Sequence, residues 1–302
     1  MCPAETIVIV GPTGAGKTDL SLRLAELVGG EIVGLDAFQI YRGLPLLTSQ
    51  PSTAQQARVP HHLIGSVDPG ESFDAGRYRR TAGPILQDVV GRGRIPILVG
   101  GTGLYLKALL GGIEELPGSN PALREEFSRL DLPLLIERLR SADPKAEAII
   151  DLANRRRVER ALEIILLTGK PLMASRTASQ SKSASPMRGI LLLRDREELY
   201  ARIETNIAAI FARGVESEVA GLTGKEIGAT AAMTLGLREI QAHSRGEISR
   251  EEAMIRIIQS TRRYARRQIT WFKNQHSFPT LNLSNVPADE ALDEALRLLR
   301  IT

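Results

Sequence analysis

A short apolar, β-branched run, Thr6 to Val10, leads without a break into Gly11, Pro12, Thr13, Gly14, Ala15, Gly16, Lys17 and Thr18. This is G-x-x-x-x-G-K-T. Leu20, Leu22, Leu24 and Leu27 then recur at helical spacing. Strand, glycine-rich loop and helix in that order form a phosphate cradle, and few folds other than a parallel α/β sheet can house one. Backbone N–H groups of Gly14 to Thr18 would point at phosphate oxygens, helped by the positive end of the helix. Lys17 would neutralise phosphate charge, and the Thr18 hydroxyl would ligate Mg²⁺.

The pattern after the cradle agrees with such a sheet. Glu31 to Leu35 reads as a second strand ending at Asp36, and Arg94 to Val99 as a third. Between them Arg77 to Val90 reads as a helix with Asp74 as its N-cap. Leu104 to Leu110 opens another helix. From Pro117 to Pro171 the pattern is wholly helical, punctuated by prolines. Thr177 to Pro186 is serine-rich and reads as a flexible linker. Gly189 to Arg194 reads as a strand returning to the sheet, and the rest as helical. The expected organisation is a P-loop NTPase-like core from 1–116 plus 187–302, a helical insertion from 117–175 and a linker from 176–186.

A chain of 302 residues can bury a large core. Its single cysteine, Cys2, excludes an internal disulfide framework and a cysteine-based zinc site. No apolar stretch is long enough to span a bilayer, and the start shows no charged leader, so a cytoplasmic protein is expected. The net charge of +4 permits a nucleic-acid partner without requiring one.

P-loop ATPases end a strand in an acid that holds Mg²⁺. Here Ile95 to Val99 ends in Gly100, Gly101, Thr102 and Gly103 instead. The nearest strand-terminal acid is Asp36. Ligands of open α/β sheets bind at the carboxyl ends of strands. The cradle, Asp36 and Thr102 should therefore meet at one site. Asp36 could take a proton from an incoming nucleophile, or could merely cap a helix or stand behind a metal. Thr102 alone could be a cap.

Ser249, Glu251 and Glu252 read as a capping box that starts a helix running to about Asn274. At about 100° per residue, Ala253, Ile257, Tyr264, Ala265, Trp271 and Phe272 share one arc. Arg256, Arg262, Arg263, Arg266, Arg267 and Lys273 share the opposite one. A single-sign stripe suits a nucleic-acid backbone or a diphosphate; a plain solvated face is the alternative. Arg155, Arg156, Arg157 and Arg160 follow Asn154, an expected N-cap, at a helix start where they oppose the helix dipole. An anion such as RNA would relieve that cost, or the arginines are simply solvated. His61 and His62 lack any metal-ligand spacing and read as structural.

In order along the chain, these motifs resemble the bacterial tRNA dimethylallyltransferase (IPP transferase) family. They are the cradle; Asp36 to Gly43; Val59 to Leu63; Asp68 and Pro69; Gly100 to Tyr105; Arg157, Arg160 and Glu163 with Thr168 and Gly169; and Thr261 to Phe272. The resemblance implies transfer of a dimethylallyl group from its diphosphate to the exocyclic amine of the adenine 3′ of the anticodon, in tRNAs reading codons that begin with U. It implies Mg²⁺, a tRNA anticodon stem-loop as partner, and a monomer. The cradle would hold the diphosphate of the donor in place of ATP. Asp36 matches the family's general base, and Thr102 a threonine at the reacting end of the donor. Gln39 matches a residue reading the flipped adenine, flanked by Ala37 and Phe38. Contact with tRNA is implied for Arg124, Arg156, Arg157, Arg160, Arg263, Arg266, Arg267 and Gln268.

The chain departs from the family pattern at Ala37, where serine is usual, and at Leu47 to Pro51, where Gln50 replaces a lysine. Asn206 replaces an arginine and Leu237 a tyrosine. Prenyl transfer to a free adenine nucleotide is a second reading, although it needs neither the helical segment nor the basic helix. A P-loop small-molecule kinase or a nucleotide-dependent RNA-binding module is a third.

Overall fold

The computed structural model describes residues 2–111, 117–172 and 187–301. Six strands form one sheet: β1 (Ile7–Val10), β2 (Gly30–Leu35), β3 (His61–His62), β4 (Ile95–Gly100), β5 (Arg188–Leu193) and β6 (Thr280–Asn282). Their spatial order is β3-β2-β4-β1-β5-β6, and every pairing is parallel. The helices are α1 (Lys17–Val28), α2 (Thr53–Arg58), α3 (Ala75–Gly91), α4 (Gly103–Leu109), α5 (Pro121–Ser128), α6 (Leu132–Ala142), α7 (Arg155–Thr168), α8 (Arg196–Ala212), α9 (Val215–Ala220), α10 (Leu237–Ser244), α11 (Arg250–Gln275) and α12 (Ala288–Leu299).

An all-parallel sheet must be covered on both faces. All four residues of β1 are buried. Ile7 and Ile9 pack with Leu20 and Leu24 of α1 and with Ala291, Ala295 and Leu299 of α12. Val8 and Val10, both fully buried, alternate to the opposite face, and α3 packs on β2, β4 and α4. There Tyr78 stacks on Tyr105 with ring centroids 4.3 Å apart. Each hydroxyl finds a backbone carbonyl, Gly34 for Tyr78 and Phe73 for Tyr105, both at 3.0 Å. That satisfies the polar tips of two large buried rings.

After β1 the chain crosses to β2 on one side; after β4 it returns to β5 on the other. The crevice at this reversal, beyond the carboxyl ends of β1 and β4, is where such sheets bind ligands.

The strands and helices expected from the sequence form within a few residues of their expected bounds, including β5, which pairs with β1 as the returning strand. The C-terminal region is not wholly helical, however. Thr280–Asn282 adds β6 to the edge of the sheet against β5. Three residues are too few to show a period. His61 and His62 form the opposite edge strand. His62 Nε2 lies 2.7 Å from Glu31 Oε2, and Arg92 also holds the buried Glu31 carboxylate. Ser249 caps α11 through Glu252 N at 3.1 Å. The reciprocal half of the expected capping box does not form, because the Glu252 carboxylate pairs with Arg256 at 2.6 Å.

The chain divides into two compact units, Met1–Leu109 with Ser185–Thr302, and Leu110–Ala184. The second has its own core, in which Phe127, Leu135, Leu139, Val158 and Leu162 are 0–2% exposed. Asn154 caps α7 through Arg157 N, as its position suggests. Arg155 offsets its unfavourable place at a helix start by donating to the carbonyls of Phe127 and Leu130, at the end of α5, and by pairing with Glu159. The serine-rich 177–186 segment lies outside the described residues.

Candidate active site

The loop after β1 needs glycine at two points: Gly14 has φ +83° and Gly16 φ +99°, a region that side chains disfavour. The loop leads directly into α1, whose first turn begins at Lys17. Lys17 Nζ donates to the carbonyls of Gly11 at 3.0 Å and Pro12 at 2.8 Å. Burial pulls its pKa down to about 8, while the neighbouring Asp36 opposes that shift. Two arginines grip the loop's outer carbonyls. Arg202 donates to Gly14 O and Arg194 to Ala15 O, each at 3.0 Å. These bonds fix carbonyls outward and so help aim the amides inward.

Asp36 follows β2. Its Oδ1 accepts from Phe38 N at 2.9 Å and Gln39 N at 3.3 Å, and Oδ2 has no hydrogen-bond partner among the described residues. Burial raises its pKa, against the two backbone bonds and Lys17. A fixed carboxylate with one spare oxygen and a raised pKa is suited to accept a proton. The Asp36 turn is itself pinned from β4: Thr102 Oγ1 accepts from Ala37 N at 3.0 Å, and Thr102 N donates to Leu35 O at 3.1 Å.

The glycines in place of a strand-end acid have a packing cause. A Cβ at Gly100 would lie 2.1 Å from Leu35 O, one at Gly101 1.9 Å from Gln268 Nε2, and one at Gly103 2.1 Å from the Trp271 ring. Real side chains tolerate no such approach. α11 lies directly on this turn, which explains why Trp271 packs as a structural residue.

These pieces share a cavity of about 600 Å³. Its polar end holds Thr13, Gly14, Lys17, Thr18, Asp36 and Arg202. Much of the remaining wall is aliphatic or aromatic: Leu47, Ile203, Ile207, Ile210, Ile257, Phe38 and Tyr264. The structure thus brings together the cradle, Asp36, Phe38 and Gln39 as the sequence predicts. Thr102 stands behind the cavity wall rather than lining it.

Gln39 lines the cavity, but its amide donates to Thr48 O at 3.2 Å and Ser49 O at 2.8 Å, bracing the 44–50 loop. Gln50 braces the same loop from within, donating to Gln39 O at 2.9 Å and Tyr41 O at 2.8 Å. Asn206 reaches over to Ser49 Oγ at 3.1 Å. Glu218 completes the bracing by accepting from Leu46 N at 2.7 Å and Leu47 N at 2.8 Å.

Gln268, for which the resemblance implies contact with tRNA, is instead 4% exposed and engaged inside the protein. Its Oε1 accepts from Thr13 N at 2.9 Å and its Nε2 donates to Gly101 O at 3.0 Å. It joins the cradle to the turn after β4. The cationic arc is also narrower than expected. Arg262 pairs with Glu204 and lies over the Tyr200 ring, and Arg256 pairs with Glu252. Arg263, Arg266 and Arg267 are exposed and make no ion pair among the described residues. In the second unit, Arg124 and Arg160 hold the buried Glu163 carboxylate, at 3.3 Å and 2.5 Å. Both therefore have a structural partner, whereas Arg157 has only a 3.9 Å approach to Asp151.

Arg194 and Glu218 are not legible as site residues from the sequence. Each acts on a segment far away in the chain and carries no local motif.

Among the described residues no cluster of three His, Cys, Asp or Glu could cage a metal. Magnesium carried by a diphosphate needs only one or two protein oxygens. Thr18 and Asp36 both line the cavity and carry oxygens of the kind such a metal would take.

A family model described as IPP transferase matches residues 39–275, and one described as isopentenyl transferase matches 4–59. A tRNA dimethylallyltransferase of Geobacter sulfurreducens is 40% identical over 294 residues, covering 94% of this chain and 93% of its own. One of Desulfosudis oleivorans is 43% identical over 281 residues, covering 90% of each. The crystal structure of a tRNA isopentenylpyrophosphate transferase from Bacillus halodurans superimposes with a TM-score of 0.70 at 32% identity, over 99% of this chain and 95% of that one. A eukaryotic dimethylallyltransferase, described as captured acting on tRNA, gives a TM-score of 0.83 at 25% identity, over 96% and 77%.

Proposed function

This chain belongs to the IPP transferase family, and from that premise we propose that it is a tRNA dimethylallyltransferase. It moves a dimethylallyl group from dimethylallyl diphosphate to the exocyclic amine of the adenine 3′ of the anticodon, in tRNAs reading codons that begin with U. One observation carries the chemistry: a half-buried phosphate cradle and a half-buried carboxylate share a cavity walled largely by apolar side chains. A hydrolase of this fold would set a metal-binding acid at the end of β4, where this chain has glycine.

The residues divide the work as follows. Amides of Gly14 to Thr18 and the Lys17 ammonium receive the diphosphate and hold it as it departs with its electron pair. Arg202 stands beside them at the cavity wall. Asp36 Oδ2 takes the proton that the adenine amine sheds as its nitrogen bonds to the allylic carbon. An adenine amine is a weak nucleophile, so positioning and charge stabilisation supply most of the acceleration. The target base must leave its stack to enter the cavity, where Phe38 and the Gln39 carbonyl oxygen would meet it. Magnesium, held by Thr18 and the diphosphate itself, would neutralise the leaving group.

Arg263, Arg266 and Arg267 give α11 an exposed cationic face for the tRNA backbone. Arg156 and Arg157 offer a second such face. No helix of the described chain is long and apolar enough to cross a membrane.

The test is incubation with Mg²⁺ and labelled dimethylallyl diphosphate, with unmodified tRNA, AMP or ATP in separate tubes. Label on tRNA alone, with ATP unconsumed, is the expected result. Label on AMP alone would move the chain to the free-nucleotide enzymes. ATP turnover without transfer would make it a kinase.

A further inference from the structure

Residues 44–49 wind into a single helical turn beside the cavity. Thr48 N donates to Leu44 O at 3.1 Å, Ser49 N to Leu46 O at 3.1 Å and Gln50 N to Pro45 O at 3.0 Å. Ser49 closes the turn in the left-handed region, with φ +52°. The last two bonds, with a left-handed residue between them, form a motif that commonly ends a helix. Such a turn leaves free amides at its start and free carbonyls at its end. Here side chains cap both. Glu218, on α9, accepts from Leu46 N at 2.7 Å and Leu47 N at 2.8 Å. The Gln39 amide donates to Thr48 O at 3.2 Å and Ser49 O at 2.8 Å.

The second cap decides what Gln39 can offer a ligand. A primary amide has two N–H donors on its nitrogen and an acceptor oxygen. Two backbone carbonyls need donors, so the nitrogen belongs on their side; exchanging the two atoms would set oxygen against oxygen. Gln39 Oε1 has no hydrogen-bond partner among the described residues. The side chain therefore meets the cavity as an acceptor only. Asp36 Oδ2 is a second unpaired acceptor. The two residues share one turn, in which Gln39 N donates to Asp36 Oδ1 at 3.3 Å. An exocyclic amine has two N–H bonds. One proton passes to Asp36 while the other N–H donates to Gln39. A 6-oxo purine presents an acceptor at that place instead.

We propose that Glu218 is a positioning residue for base selection. It does not line the cavity and acts through the turn. By pinning the Leu46 and Leu47 amides it holds the Thr48 and Ser49 carbonyls where they fix the Gln39 amide. Without that carboxylate the turn loosens, the amide rotates, and its NH₂ is free to meet a 6-oxo group. Selection of an amine over a carbonyl is thus set in part from α9, outside the cavity. This rests on the transferase reading above.

A site built to pair a substrate N–H rejects the analogue lacking it. The experiment compares two tRNAs, one with adenine and one with hypoxanthine 3′ of the anticodon. The affinity of the full chain for each is measured by filter binding, and transfer from dimethylallyl diphosphate to the adenine tRNA is timed. Wild type is expected to prefer adenine by about tenfold, the equivalent of one hydrogen bond. Glu218→Gln sets an amide N–H against one of the two backbone amides. It should bring the affinity ratio close to one and slow transfer about tenfold. Glu218→Asp keeps the carboxylate and should recover part of the ratio. In a Gln39→Leu background, Glu218→Gln should change the ratio no further. Loss of folded protein lowers the active fraction but leaves a ratio of affinities unmoved. A ratio unchanged by Glu218→Gln, a ratio changed equally with and without Gln39, or a wild type that binds both tRNAs alike would overturn the proposal while leaving the transferase reading intact. No transfer by wild type to the adenine tRNA would overturn both.

Discussion

Replacing Gln268 by leucine should unsettle the protein far more than an RNA-facing position would. The side chain of Gln268 is 4% exposed, and both ends of its amide are engaged, with Thr13 N at 2.9 Å and Gly101 O at 3.0 Å. Leucine has similar bulk and no polar atom. It would leave one donor and one acceptor behind. A buried polar group stripped of its partner costs about 1–3 kcal/mol, so the two set a range of roughly 2–6 kcal/mol. Thr13 lines the cavity, where water can reach its amide, so we expect about 3 kcal/mol. That is a large share of a domain stability of about 5–15 kcal/mol. Gln268→Glu should be as damaging, since a carboxylate would face the Gly101 carbonyl where an amide N–H now donates. The assay is urea or guanidinium denaturation, read as the shift in midpoint at constant slope. If both variants stayed within about 0.5 kcal/mol of wild type while tRNA affinity fell, Gln268 would be a surface residue and the reasoning here would be wrong.

Three further outcomes follow from the geometry. Lys17 has its pKa lowered to about 8 by burial, so the free protein loses the cradle's cation as pH rises through that value. Dimethylallyl diphosphate binding should be flat below pH about 8 and weaken by up to tenfold per pH unit above it, and Lys17→Arg should abolish the break. Glu31 is shifted the other way. The Arg92 hydrogen bonds, against burial and with help from His62, lower its pKa from 4.5 to about 2, so its contribution to stability is intact above pH 4.5 and is lost as pH falls toward 2. The shift sets a ceiling of about 3 kcal/mol, nearer 1–2 kcal/mol once screening at the half-exposed Arg92 is counted, and Glu31→Gln should remove that part of the acid transition. Charge reversal of Arg263 and Arg267 should weaken tRNA binding and lower its log–log salt slope by about 0.7–0.9 for each phosphate no longer neutralised; an unchanged slope would remove α11 from the RNA interface.

What the sequence discloses depends on how far apart the interacting residues lie. The cradle, the strand feeding it and Asp36 at the end of β2 are local patterns, and they occupy the places the pattern predicts. The same holds for Asp74, Asn154 and Ser249 as helix caps, each bonded to an amide three residues on. Gln268 escapes a sequence reading because its amphipathic position says only which arc it occupies. Its partners stand 255 and 167 residues away. The glycines after β4 read as a missing acid, yet their cause is the closeness of Leu35, Gln268 and Trp271, which no window on the sequence contains. β6 is invisible because three residues carry no period, and its register comes wholly from β5. The arginine stripe looks wider in the sequence than on the surface because Glu204, which neutralises Arg262, belongs to a different helix.

The most direct test of the account is single-turnover transfer by wild type and Asp36→Asn, each with Mg²⁺, labelled dimethylallyl diphosphate and unmodified tRNA. The tRNA is then digested to locate the label, and tRNA binding is measured in parallel. The account predicts label on the adenine 3′ of the anticodon for wild type. For the variant it predicts a rate lower by about 10²–10⁴, with tRNA affinity unchanged. Label elsewhere, or a variant that loses binding and transfer in equal measure, would contradict the assignment of Asp36 as the base.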